Sequence, residues 1–188
     1  MKNTKNVLWA LPLFSILFFT ACEKEDPIVP NEEELITTLI YTLTPAGGGT
    51  PVVFSFQDLD GDGGNAPIIV NGTLAANTTY AGVLLLLNET ETPAESISEE
   101  VEEEADKHQF FFSVSGVDAT VSYADADGNG NPIGLASTVV VGAVSSSGTL
   151  VITLRHEPAK SASGVSAGDI TNAGGETDIE VTFDVTVQ

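Results

Sequence analysis

The chain has two histidines, and each closes the apolar face of a strand-like segment. In "HQFFFSV", His108 alternates with Phe110, Phe112 and Val114; in "TLVITLRHE", His156 follows Leu150, Ile152 and Leu154 on one face. If these segments pair antiparallel, the start of one lies beside the end of the other, and both imidazoles meet at one rim of the core. Glu104, one helical turn before His108, and Glu157, beside His156, would complete a His₂-carboxylate set. Such a set suits Zn²⁺, Cu²⁺ or iron. Arg155 is then placed to pair with a carboxylate on a ligand. Parallel or distant strands would leave two satisfied edge histidines instead.

Two acidic glycine loops offer a second chemistry. "DLDGDGGN" and "DADGNGN" resemble the opening of a Ca²⁺-binding loop, with oxygen ligands at alternate positions and a glycine at the bend. Asp58, Asp60 and Asp62 fill these positions in the first loop; Asp125, Asp127 and Asn129 fill them in the second. The bidentate Glu of such loops is missing, Ile69 and Ala136 standing in its place. Asp-Gly and Asn-Gly pairs also form plain hairpin turns. An enzyme is not expected. Gly164-Val165-Ser166-Ala167-Gly168 matches the letters of a nucleophile elbow, but no strand precedes it and no histidine follows it.

The elements that must position these residues read as β-strands. Period-two alternation runs through Leu39, Tyr41 and Leu43, through Val52, Phe54 and Phe56, and through Ile179 to Val187. Further strands are expected near 78–88, 108–114, 119–123, 136–143 and 149–156. About eight or nine short antiparallel strands imply an all-β, Ig-like sandwich, with a small closed barrel as the alternative. One acidic helix is expected over 93–107, opened by the capping box Thr92-Pro93-Ala94-Glu95. "LAANTTY" resembles the tyrosine corner of fibronectin type III domains, with Tyr80 bonding back to the backbone before its strand.

Residues 1–21 read as a signal peptide: Lys2 and Lys5, then an apolar run from Val7 to Phe19, shorter than the roughly 20 residues of a membrane span. Phe19-Thr20-Ala21-Cys22 resembles the lipobox of bacterial lipoproteins, which implies a lipid on Cys22, the chain's single cysteine. Residues 22–33 form an acidic tether and 34–188 one domain. "EKED" behind the cysteine resembles the surface-export signal of Bacteroidetes lipoproteins, implying the outer membrane and its outer face. The net charge of −21 argues against nucleic acid, whose phosphates it would repel, and favours cationic partners or a saline setting.

"LDGDGGNAP", "HQFFF", "YADADGNGNPIGLA", "LRHEP" and "AGDITNAGGETDIEVTF" together resemble a family of small flavobacterial outer-membrane lipoproteins of no assigned activity. Some members are labelled a type 1 periplasmic binding fold, which alternates strands and helices over two lobes. Two functions are expected from the residues. The first is capture of a metal ion, or a metal-containing nutrient, for a TonB-dependent receptor. The second is a Ca²⁺-stabilised structural or adhesive module. A monomer is expected for either.

Overall fold

A computed structural model describes residues 35–61 and 64–188. The signal peptide, the tether with Cys22, and Asp62 lie outside the described residues. Among the described residues, eleven strands make two stacked sheets. The first is ordered β3(Ile68–Val70), β2(Val52–Gln57), β1(Thr38–Pro45), β5(Thr79–Asn88), β9(Ala136–Val141), β8(Ala119–Tyr123), with the short β6(Glu95–Ser96) beside β5. The second is ordered β4(Gly72–Leu74), β11(Glu176–Val187), β10(Ser146–His156), β7(His108–Ser115). All pairings are antiparallel except β11 with β4. The protein is therefore an all-β sandwich and not a closed barrel. With 49 % strand against 9 % helix, it has too little helix for an alternating two-lobed fold.

Alternation decides which side chains fill the space between the sheets. Leu39, Tyr41 and Leu43 of β1 and Leu84 and Leu86 of β5 face Ile152 and Leu154 of β10 and Val181, Phe183 and Val185 of β11. Phe54 meets Phe183 edge to face, with ring centroids 5.6 Å apart. Tyr80 turns back at its strand's start, where its hydroxyl accepts the Ala75 amide at 2.8 Å, as the tyrosine-corner resemblance implies. Glu33–Gln188 forms one compact unit, and this core belongs to it.

The helix differs from expectation. α1 spans Ile97–Glu103, and the residues of the anticipated capping box lie before it. Glu95 and Ser96 instead pair with Asn88 and Leu87 of β5, and the Ser98 hydroxyl accepts the Leu86 amide at 2.7 Å. Backbone pairing with a long neighbouring strand thus prevails over a local capping signal. Ile97 and Val101 still anchor α1 in the core. Its end delivers the chain to His108.

Candidate metal centre

His108 opens β7, His156 closes β10, and the antiparallel register sets them directly opposite each other. Both side chains face the core, so the rings stack: centroids 4.7 Å apart, planes 11° from parallel. They are 0 % and 4 % exposed. The turn after α1 brings in the third group. Glu104 caps the helix, and its carbonyl accepts both the Lys107 amide at 2.8 Å and the His108 Nδ1–H at 3.2 Å. A carbonyl can only accept, so Nδ1 carries a proton, and a neutral ring in this orientation has its lone pair on Nε2. Metal-binding histidines are commonly oriented by such a bond.

Ligand atoms of Glu104, His108 and His156 all lie within 4.8 Å of one another. Tetrahedral zinc bonds of about 2.0–2.2 Å put ligand atoms roughly 3.3 Å apart, so the set must contract around an ion. An ion also lies near the plane of each imidazole that binds it. Two rings serving one ion cannot remain stacked, and at least one must turn. The Lys107 ammonium already holds Glu104 Oε1 at 2.8 Å. That hydrogen bond lowers the Glu104 carboxyl from its usual range, against an opposing push from partial burial and with help from the charges of Lys107 and both histidines.

Glu157 does not join the set. Its amide donates to the Lys107 carbonyl at 2.6 Å, its φ of 49° turns the chain away, and its side chain is exposed. Arg155 lies on the other face of β10 from His156 and donates to the Gly175 carbonyl at 3.3 Å. Neither position is the one expected from sequence, because a residue beside a strand's last inward position points outward.

The acidic loops are organised around their own chain. Asp58 Oδ1 accepts the Gly61 amide at 2.9 Å, and Asp60 Oδ2 accepts the Asn65 amide at 3.0 Å and its side-chain amide at 2.7 Å. Those Asn65 bonds lower the Asp60 carboxyl. Both aspartates border an open cleft of about 280 Å³ walled by Leu35, Ile36, Phe56 and Ile179. In the second loop, Asp125 accepts the Gly134 and Ala136 amides, both at 2.7 Å. Asp127 Oδ1 accepts the amides of Asn129 at 2.8 Å and Asn131 at 2.9 Å. The Asn129 side chain is exposed. Where the sequence suggested a calcium ion, the structure has the ammonium of Lys160, 3.1 Å from Asp127 Oδ2.

Sequence reasoning missed Lys160 and Lys107. Each is one of four basic residues beyond the leader, scarce enough in this acidic chain to have drawn notice. It also missed Gln109, whose buried amide donates to Val165 O at 2.8 Å and to the Tyr123 hydroxyl at 3.1 Å. That bond pins the 3₁₀ turn Val165–Ala167 over Phe111. Ser166 is exposed on this turn, with no strand leading into it, so the serine motif is a covering loop.

Against known proteins, the chain matches no family model, no curated protein and no solved structure. Among the described residues, no helix is long and apolar enough to cross a membrane.

Proposed function

We propose that this chain is a lipid-anchored outer-membrane protein that binds a transition-metal ion through Glu104, His108 and His156. Cys22 is the anchor, and a TonB-dependent receptor takes up the ion or the small complex that carries it. The observation that supports this reading is the register of β7 and β10, which opposes two inward-facing histidines beside a carboxylate. Two nitrogens and one oxygen favour zinc or copper over calcium or magnesium. A ligand completing the coordination sphere would enter from the exposed side, past Glu104 and Lys107.

The test is metal content and thermal melting of the Glu33–Gln188 unit as purified, after chelation, and with Zn²⁺, Cu²⁺ or Ca²⁺ restored. A transition metal should raise the melting temperature, and the rise should vanish in His156→Ala and in Glu104→Gln. Stabilisation by Ca²⁺ alone would move the site to the Asp58 loop and favour a structural or adhesive module. No response to any of the three ions would overturn the metal reading.

A further inference from the structure

The described part of this acidic chain contains Lys107, Arg155 and Lys160 as its basic residues, and each has an acceptor at hand. Lys107 pairs with Glu104, Lys160 pairs with Asp127, and Arg155 donates to the Gly175 carbonyl. The second acidic loop therefore carries its own cation, through Asp127. The first loop does not. Among the described residues, no lysine, arginine or histidine lines the cleft that Asp58 and Asp60 border. Their carboxyl groups stand within hydrogen-bonding reach of each other. Two carboxylates that close repel, and a cation between them relieves the repulsion.

The walls below these acids are carbon. The cleft lies where β1 begins and β2 ends, between Leu35 and Ile36 before β1, Phe56 of β2 and Ile179 of β11. Ile36, Phe56 and Ile179 pack against the core with part of their surface and line the opening with the rest. Leu35 beside them is 55 % exposed. The volume of about 280 Å³ is close to the lower end, roughly 300 Å³, of small-molecule sites. A bare metal ion matches this composition poorly. Ca²⁺ takes about six to eight oxygens, which apolar walls do not supply. Among the described residues, the loop's amides meet only one oxygen of each carboxylate, Asp58 Oδ1 and Asp60 Oδ2. An ammonium has three donors and no need of a full oxygen shell, so the second oxygens suit it.

We infer that this cleft binds a small amphiphilic amine, its ammonium against Asp58 and Asp60 and its hydrocarbon or aryl body on Leu35, Ile36, Phe56 and Ile179. Each half of the site selects half of the ligand. The carboxylates reject anions and prefer a cation to a neutral molecule of the same shape. The apolar walls prefer an organic cation to a hydrated inorganic one, because burying its body removes apolar surface from water. The chain's net charge of −21 draws any cation toward the opening. This site shares no residue with the centre at Glu104, His108 and His156, and it stands whether or not that centre holds a metal.

Titration of the chelator-treated Glu33–Gln188 unit with phenethylamine at neutral pH, followed by backbone amide NMR shifts, tests this. The amine should bind saturably and shift the amides of Ile36, Phe56 and Ile179. Phenethyl alcohol, the same body without the charge, should bind several-fold more weakly. The amine should lose a similar factor on Asp58→Asn combined with Asp60→Asn, since contacts between ammonium and exposed carboxylates are individually modest. The asparagine oxygens still accept the loop's amides, so the loop keeps its form. Glu102→Gln removes an exposed acid from α1 and should leave the affinity unchanged. No saturable binding of the amine would overturn the inference. Equal binding of amine and alcohol would overturn it too, in favour of an apolar cleft indifferent to charge. Ca²⁺ that shifts these amides where the amine does not would replace it with a calcium loop.

Discussion

Lys160 and Asp127 form an ion pair inside the protein: Nζ and Oδ2 are 3.1 Å apart, and the two side chains are 5 % and 1 % exposed. The ammonium also donates to the carbonyls of Pro132, at 3.0 Å, and Ala105. Its three protons thus meet three oxygens, and one positive charge joins the segment after α1, the Asp125 loop and the segment after β10. A bound metal ion would link the same segments in the same way. The lysine gives a fixed cation that needs no supply from outside.

Removing that cation should be costly. Breaking a buried pair from one side leaves an uncompensated charge, and the loss is about 3–5 kcal/mol. Urea unfolding of Lys160→Met should show a loss of this order. Adding Asp127→Asn to it should restore part of the stability, because Asn removes the stranded charge while its oxygen still accepts the Asn129 and Asn131 amides. A double variant as unstable as the single one would show that packing of the lysine stem, rather than charge, carries the effect.

The same pair sets an acid limit. Burial pushes the Asp127 carboxyl up, but the Asn131 and Asn129 amides and the Lys160 ammonium together bring it below the usual value. A folded-state pKa below the unfolded one means that the unfolded chain takes up the proton first. The stabilisation is whole above the ordinary aspartate value of about 3.9 and is lost as pH falls through the lowered one. The stability difference between wild type and Asp127→Asn should therefore be flat near neutrality and shrink below about pH 4. A difference that changes well above pH 4 would mean that a group other than Asp127 is responsible.

How much of this was readable in the sequence depends on the range of the interaction. Period-two alternation identified the inward faces of β7, β10 and β11, and strand polarity was the one assumption needed to bring His108 and His156 together. The register that opposes them is a property of the sheet. Helix onset was misread because a capping box is a local signal, whereas β6 is held by β5. The scarcity of Lys160 was visible, but its pairing was not, for the same reason: its partner is 33 residues away, and its carbonyl acceptors are placed only by the finished fold. The Asp-Gly pattern gave the turn correctly but could not say which cation its carboxylates hold.

Lys107 should act as an internal competitor at the metal centre. Its ion pair with Glu104 is close to half exposed on both sides, so its loss should leave stability almost unchanged. An ion that takes up Glu104 Oε1 must displace the ammonium, and one on the other oxygen shares the carboxylate's charge with it. Lys107→Met should therefore tighten Zn²⁺ or Cu²⁺ binding several-fold, read by competition with a chromophoric chelator, while the melting temperature of the metal-free protein barely moves. Unchanged or weaker binding would mean that the ammonium does not compete for Glu104.

Gly82 marks a tight point in the core. It faces inward on β5, where an added Cβ would fall 2.5 Å from Ser137 Oγ and 2.6 Å from the Tyr41 hydroxyl. Those two hydroxyls bond each other at 2.7 Å, both buried. Burial outweighs that bond and pushes the Tyr41 phenol up to about 12. Alanine at this position must part the two hydroxyls or shift a strand, and overpacking of this kind costs about 1–3 kcal/mol. Gly82→Ala should lose that much in urea unfolding, and less when combined with Ser137→Ala and Tyr41→Phe, which remove the crowding oxygens. The phenol adds a pH signature. An unfolded tyrosine ionises near pH 10, so wild-type stability should fall as pH rises from about 10 toward 12, and Tyr41→Phe should flatten that decline. If Gly82→Ala is neutral, β5 and β9 must slide apart more readily than their register implies.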